Sequence, residues 1–201
     1  MSNIISIDFP KIDHRQTSFD LEYFSNCATG KSKSLFEDRP GAESPKDGDT
    51  LCGFYLPPFQ RPEVWDEERK IKLIESLFCE ISVGSISFVS NYACSEVDGW
   101  LIDGQQRLTA IRDFTLGKFA VFDGRLSYDN MRDTVLNFPL APNAAEKEVK
   151  ASSVWRRNAI PCLKIERVAD KEILKQLYLR LNFGGVAHEN EELRELQGMR
   201  M

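Results

Sequence analysis

The residues best suited to chemistry form one short string, Asp-Gly-Gln-Gln-Arg, at residues 103–107. An apolar segment precedes this string and a helical apolar pattern follows it, so the string is predicted to join a β-strand to a helix. The first backbone N–H groups of a helix have no partner within the helix, and the helix dipole favours negative charge there. The string therefore predicts an anion site.

The members of the string suit this interpretation in different ways. Gly104 allows the backbone to approach a ligand closely, and Gln105 and Gln106 offer neutral donors and acceptors. Arg107 lies in the first turn, where a cation opposes the helix dipole, and a bound anion would remove that conflict. A purely structural interpretation is equally open: Asp103 caps the helix, Gly104 makes the turn and Arg107 pairs with a carboxylate. The missing Lys-Ser/Thr pair excludes a Walker-type phosphate loop.

Two further segments carry candidate site residues. Gln60 and Arg61 precede a proline that restricts the conformation of Arg61, whose planar guanidinium suits phosphate. Trp65 could stack on a base, although a tryptophan in this position more often belongs to the core. Asn182 precedes two glycines, which a helix C-cap alone would also explain.

The elements that must position these residues can be placed from periodicity. Helices are predicted over residues 67–81, 105–116, 170–182 and 191–197, the first with Asp66 as its N-cap. Strands are predicted over residues 85–91, half-buried, and over 100–102 and 160–165. Residues 54–62 suit an extended edge segment, residues 119–126 a small hairpin, and residues 127–158 either a helix or a lid. This order predicts an α+β fold.

The chain divides by composition near residue 50. Residues 1–35 are weakly patterned, and residues 37–50 are polar and contain three glycine or proline turn signals. We therefore expect an N-terminal arm and mobile loop over residues 1–50, followed by one organised domain over residues 51–201.

Bulk composition excludes several function classes. The net charge is -5 and the pI about 5.2, which argues against a protein that coats nucleic acid, although a local basic groove stays possible. The five cysteines are scattered and form no C-x-x-C pair. The histidines, His14 and His188, form no metal-ligand or His-Asn-His pattern, so a His-metal nuclease centre is not encoded. No secretory signal or membrane-spanning run is found, and a cytoplasmic location is expected.

Three segments together resemble a known family: residues 59–65 (F-Q-R-P-x-V-W), 102–109 (I-D-G-Q-Q-R-L-T) and 181–185 (L-N-F-G-G). In this order they are similar to the N-terminal domain of GmrSD-type restriction endonucleases, the domain-of-unknown-function family 262. The resemblance covers about residues 50–195. It implies a ParB/sulfiredoxin-like fold, a small mixed sheet flanked by helices, in which a strand-to-helix turn grips nucleotide phosphates.

The resemblance also implies a function. It predicts a nucleoside-triphosphate-binding sensor or regulatory subunit of a modification-dependent restriction or anti-phage system, with Mg²⁺ as a candidate cofactor and hydrolysis left open. Its nucleotide site would comprise Gln60, Arg61, residues 104–107 and Asn182, with Asp103 and Arg107 as the catalytic pair. The expected partners are DNA, modified or not, together with a separate nuclease subunit or a second copy of the chain, and no membrane.

An alternative function is a DNA-binding module without catalysis that partners a separate nuclease. The family's nuclease half would follow Met201, so cleavage by these 201 residues alone is not expected. A direct nuclease would further need carboxylates clustered around Asp103, which the sequence does not provide.

Overall fold

Five helices and three small sheets make up the part of the chain that the computed structural model describes, residues 9–37, 50–138 and 147–183. The helices are Leu21–Ala28 (α1), Glu67–Phe78 (α2), Gln105–Thr115 (α3), Ala151–Arg157 (α4) and Lys171–Phe183 (α5). The strands are His14–Asp20 (β1), Thr50–Leu51 (β2), Phe54–Tyr55 (β3), Ile86–Ser90 (β4), Leu101–Asp103 (β5), Val135–Phe138 (β6), Lys147–Lys150 (β7) and Ala159–Glu166 (β8). The predicted α+β class is confirmed.

The central sheet has four strands in the order β1-β8-β4-β5. β8 runs parallel to β4, whereas β1 and β5 are antiparallel to their neighbours. Every residue of β4 is buried, so the prediction of a half-buried strand over residues 85–91 is wrong. Because β4 lies between two other strands and is covered on both faces, its polar serines are buried with its apolar residues. β5 then carries the chain to the bend at residues 103–107.

Residues 14–20 belong to this sheet and not to a separate arm. β1 pairs with β8 along its whole length, and α1 buries Leu21 and Phe24 completely. Phe36 is also in the core. The arm predicted over residues 1–50 is therefore corrected for residues 14–37. The strand that pairs with β1 lies more than a hundred residues away in the sequence, so it leaves no local signal. Residues 38–49, predicted as a mobile loop, lie outside the described residues.

α2 follows its prediction at the start and departs from it at the end. The carboxylate of Asp66 accepts a hydrogen bond from the backbone N–H of Arg69 at 2.9 Å, which confirms the predicted N-cap. The helix ends at Phe78 and not at residue 81, because Glu80 adopts a left-handed conformation with a φ of 56°. Ile81 is consequently 58 % exposed and leaves the apolar stripe.

Several other segments differ from their predictions or were predicted only as alternatives. Residues 127–158, expected as a helix or lid, contain the hairpin of β6 and β7 and the short helix α4. The expected hairpin at residues 119–126 is reduced to one bridge between Val121 and Leu126. The extended edge segment predicted over residues 54–62 pairs only at β3, since the prolines that follow cannot donate to a ladder. The helix predicted at 191–197 lies outside the described residues.

Three negative observations concern the described part of the chain. None of its helices combines the length and apolar character needed to cross a bilayer. No three of its His, Cys, Asp or Glu side chains are grouped so that they could hold a metal ion. All five cysteines are free thiols.

A buried network of hydrogen bonds joins helices α1, α3 and α4. The hydroxyl of Ser25 in α1 lies 3.0 Å from that of Thr115 in α3, and it accepts a hydrogen bond from the indole N–H of Trp155 in α4 at 3.1 Å. All three residues are at most 5 % exposed. Because water cannot replace these partners, the network fixes how the three helices meet.

Replacing Ser25 with alanine is expected to lower the free energy of unfolding by about 1–3 kcal/mol, since the buried Trp155 N–H would lose its acceptor. Urea unfolding followed by tryptophan fluorescence measures the loss. Ser18→Ala, on the exposed face of β1, serves as the control and should change stability by less than about 0.5 kcal/mol. Equal stability of the two variants would contradict the assigned network.

Candidate functional site

The predicted strand-to-helix bend is present, and the helix start is uncapped. β5 ends at Asp103, Gly104 is the N-cap residue and α3 begins at Gln105. No side chain caps the helix, and no group in the described ranges accepts from the backbone N–H groups of Gln105, Gln106 and Arg107. Three donors at the positive end of an 11-residue helix are thus free to bind an anion.

Gly104 is required here by the backbone and by packing on β4. Its φ of 106° is one that side-chain-bearing residues rarely adopt, and an added Cβ would lie 2.8 Å from Cγ1 of Ile86. The glycine therefore holds the bend against the sheet. Ile86 fills the space on the Cβ side of Gly104, and Gly104 also lines the pocket described below, so close approach of a ligand to its backbone stays a prediction.

Asp103 and Arg107 form an ion pair across one helical turn. Nη2 of Arg107 donates to Oδ2 of Asp103 at 2.6 Å and to the carbonyl of Ser85 at 2.7 Å. The side chain of Arg107 remains 20 % exposed and that of Asp103 remains 28 % exposed. The structural interpretation is thus right that Arg107 pairs with a carboxylate and wrong that Asp103 caps the helix. The carboxylate also offsets the unfavourable position of a cation in the first turn.

One nitrogen of Arg107 has no partner. Its Nε is buried and unpaired in the described part of the chain, although the neighbouring Nη2 makes two hydrogen bonds. A buried charged donor without an acceptor is unfavourable. The guanidinium therefore retains hydrogen-bonding capacity that the surrounding protein does not use.

The side chain of Gln106 holds the loop that carries the second motif. It is 6 % exposed, its Oε1 accepts from the backbone N–H groups of Val64 and Trp65 at 3.2 Å each, and its Nε2 donates to the carbonyl of Pro62 at 3.3 Å. Protein groups take three of the four hydrogen-bonding positions of this amide, so what Gln106 chiefly offers a ligand is its backbone N–H. Its side chain positions residues 62–65 beside the bend.

Arg61 brings an unpaired charge to the same place. Its backbone N–H donates to the hydroxyl of Tyr178 at 3.2 Å, while its half-buried guanidinium has no carboxylate partner among the described residues. Gln60 is anchored by its Nε2, which donates to the carbonyl of Leu101 at 3.2 Å. The proline-flanked loop is therefore fixed by its backbone and by Gln60, which leaves the Arg61 charge for a ligand.

Asn182 reaches the bend from the last turn of α5. Its Nδ2 donates to the carbonyls of Tyr178 at 2.9 Å and Ile102 at 3.4 Å, which ties α5 to the end of β5. Its position agrees with the prediction that it faces the site, and the glycines that follow it lie outside the described residues. Tyr178 was missed as a site residue. A tyrosine on the apolar stripe of a helix needs a hydrogen-bond partner for its buried hydroxyl. This requirement is the one sequence feature that indicates a polar contact for Tyr178.

These residues surround one pocket of about 70 Å³. Its lining comprises every residue predicted for the site, together with Trp65: Gln60, Arg61, Trp65, Asp103, Gly104, Gln105, Gln106, Arg107 and Asn182. A drug-sized ligand needs about 300–1,000 Å³. The pocket is therefore of a size for one anionic group, such as a phosphate, and not for a whole nucleotide.

A second depression adjoins this pocket. It measures about 360 Å³ and shares Gln60, Arg61 and Gln105 with the first pocket. Its remaining lining is apolar or proline: Leu56, Pro57, Pro58 and Pro62. The three shared residues make the two spaces neighbours, so an anionic group in one and an attached apolar ring in the other would lie side by side.

A network of ion pairs centred on Asp113 connects the elements that carry the pocket residues. The carboxylate of Asp113 accepts hydrogen bonds from Lys70 at 2.6 Å, Lys118 at 2.8 Å and Arg112 at 2.9 Å, and Arg112 also bonds Glu63 of the loop at 2.9 Å. Burial alone would raise the pKa of Asp113, but the hydrogen bonds from its three cations outweigh burial and lower the pKa to about 2. Asp113 therefore stays ionised and ties α2, α3 and the loop together.

Comparison with known proteins identifies the family. Neither a curated protein nor a solved structure matches the chain. The family model of the GmrSD restriction endonuclease N-terminal domain matches residues 43–196, more than half of the chain, and this stretch includes all nine residues around the pocket. The chain therefore belongs to the GmrSD restriction endonuclease N-terminal domain family.

Proposed function

We propose that the chain is a nucleoside-triphosphate-binding sensor or regulatory subunit of a modification-dependent DNA restriction system. Membership in a restriction endonuclease family supports the general role. The observation that carries the nucleotide site is the uncapped start of α3. Its three N–H groups have no acceptor among the described residues, and they lie at a pocket that also holds the guanidinium of Arg61, which has no carboxylate partner in the same ranges.

In this proposal one phosphate group occupies the small pocket. The backbone N–H groups of Gln105, Gln106 and Arg107 donate to its oxygens, and the Arg61 guanidinium neutralises its charge. The nucleoside lies in the adjoining depression of about 360 Å³, against the prolines beside Gln60. Binding by backbone amides selects for phosphate without selecting a base, so the base preference depends on the depression.

Asp103 has two roles in the proposal. Unpaired, its carboxylate would repel phosphate, and the ion pair with Arg107 removes that repulsion. Mg²⁺ binds through oxygen ligands, commonly one or two carboxylates together with substrate phosphates, and Asp103 is the carboxylate that lines this pocket. Asp103 would thus hold a phosphate-bound Mg²⁺ or orient an attacking water.

The deciding experiment measures phosphate release from each nucleoside triphosphate, with and without Mg²⁺, and with unmodified or modified DNA. A sensor is expected to release phosphate at a rate that depends on Mg²⁺ and responds to modified DNA. The competing function, a DNA-binding module that partners a separate nuclease, predicts DNA binding that ignores nucleotide and weakens steeply with salt. DNA binding without any nucleotide binding would overturn the proposal.

Replacing Arg61 with glutamine is expected to weaken nucleotide binding about 10- to 100-fold, because one charge-assisted hydrogen bond contributes about 1.5–3 kcal/mol. Stability should change by less than about 0.5 kcal/mol, since the fold uses the backbone of Arg61 and not its guanidinium. Calorimetric titration measures the affinity. Arg125→Gln, which removes a 77 % exposed guanidinium elsewhere, is the matched control. Equal affinities of the two variants would exclude Arg61 from the site.

A further inference from the structure

A second cleft carries concentrated positive charge on a chain whose net charge is -5. It measures about 360 Å³ and lies between α1, α4 and the segment that precedes β6. Four cations line it, Lys31, Arg132, Lys150 and Arg156, against the single carboxylate of Glu22. We name it the basic cleft.

Within the part of the chain that the structure describes, the charge of the basic cleft is not neutralised by ion pairs. All four cations are exposed, and none forms an ion pair with any residue in the described ranges. Exposed cations elsewhere do find carboxylates: Arg15 pairs with Glu166 and Lys171 with Glu96, at 3.0 and 2.9 Å. Unpaired cations grouped around one concave surface raise the local concentration of anions.

The floor of the basic cleft is apolar and closely packed. Trp155 and Met131 are 1 % and 8 % exposed, and Tyr128 packs against Trp155 with ring centroids 6.2 Å apart. The indole N–H of Trp155 is held by Ser25. A low-dielectric wall beneath like charges concentrates their field towards solvent, so the cleft attracts anions more strongly than the same cations would on a flat polar surface.

The basic cleft and the nucleotide pocket share no lining residue. Trp155 of the cleft connects through Ser25 to Thr115, the last residue of α3, whereas the pocket lies at the first turn of α3. The 11 residues of α3 span about 16 Å. The two sites are therefore separate, and variants in one can be tested without touching the other.

We propose that the basic cleft binds the sugar-phosphate backbone of DNA. A site for one small anion would bring buried, fixed donors together, whereas these cations are long, exposed and carried by separate segments. Such cations suit successive phosphates along a nucleic-acid strand, which provide most of the affinity for DNA. The inference rests on the DNA-sensing part of the proposed function and is independent of the nucleotide pocket.

The test compares two triple variants of the full chain with equal net charge. Lys31→Gln/Arg132→Gln/Arg156→Gln removes cations of the cleft, and Arg15→Gln/Arg125→Gln/Arg167→Gln removes exposed cations elsewhere. Fluorescence anisotropy with a labelled DNA duplex, without nucleotide, gives the affinity over about 50–200 mM salt. The cleft variant is expected to bind at least about 10-fold more weakly, with a salt slope smaller by about 2–3. The control variant should keep both values near those of the wild type.

Other outcomes would overturn the proposal. Equal weakening in both triple variants would assign the effect to net charge. Unchanged DNA affinity of the cleft variant would exclude the cleft from DNA binding, and loss of one of two pyrophosphate sites by calorimetry, with the site at the start of α3 kept, would assign the cleft to a small anion. The replaced cleft side chains make no ion pair within the described ranges, and the ion pairs of the three control cations lie at the surface, where each contributes at most about 1 kcal/mol, so both variants should melt close to the wild type. The cleft variant should also bind nucleotide normally. If that variant binds DNA like the wild type, the DNA proposal fails and the nucleotide proposal is unaffected. If Arg61→Gln binds nucleotide like the wild type, the nucleotide proposal fails and the DNA proposal is unaffected.

Discussion

Replacing Arg107 with glutamine is expected to weaken nucleotide binding at least about 100-fold and to lower the free energy of unfolding by about 2 kcal/mol. The variant removes a cation beside the phosphate position and leaves the Asp103 carboxylate without its partner. Breaking a buried ion pair costs about 3–5 kcal/mol, and the partial exposure of this pair reduces that cost. Calorimetry measures binding, and urea unfolding measures stability.

A double variant separates the two roles of Arg107. Asp103→Asn/Arg107→Gln removes both charges, so it should regain most of the lost stability. Binding should stay weak if the guanidinium of Arg107, which lines the pocket, donates directly to phosphate. Wild-type affinity of the double variant would contradict direct contact and leave Arg107 with the sole task of neutralising Asp103.

Replacing Asp113 with asparagine is expected to lower the free energy of unfolding by about 3 kcal/mol at neutral pH. The change keeps the shape of the side chain but leaves three cations around a neutral group, of which Lys70 is only 14 % exposed. Urea unfolding measures the loss. Asp123→Asn, whose side chain is 95 % exposed, is the control and should have little effect.

The pH dependence of this difference follows from the pKa of Asp113. The folded state lowers that pKa from 3.8 to about 2, so the ionised group stabilises the fold above about pH 4, and this contribution of about 2 kcal/mol is lost as the pH falls to 2. The stability gap between wild type and Asp113→Asn should therefore narrow between pH 4 and 2. A gap of constant size would show that the charge of Asp113 is not its source.

The local parts of the site could be predicted from the sequence. The bend at residues 103–107 follows from a strand pattern, a glycine and a helix pattern that are adjacent in the chain, and the structure places all three as expected. The error about Asp103 had a local cause: a carboxylate before a helix can cap it or pair one turn ahead with Arg107. Spacing permits both, and the tertiary contact of Arg107 with Ser85 favours the pair.

The contacts that assemble the site could not be predicted in this way. The side chain of Gln106 serves the loop at residues 62–65, and the hydroxyl of Tyr178 accepts from Arg61, more than a hundred residues earlier. β1 likewise pairs with β8, from which it is separated by most of the sequence. Such contacts depend on how distant segments pack, which periodicity and spacing do not encode.

The central claim is that the backbone amides at the start of α3 hold phosphate. Titration of ¹⁵N-labelled protein with pyrophosphate, followed by two-dimensional NMR, observes those amides one by one. The account predicts saturable binding with the largest amide shifts at Gln105, Gln106 and Arg107, and loss of those shifts in Arg61→Gln. Saturable binding that moves other amides and leaves these three unchanged would contradict it.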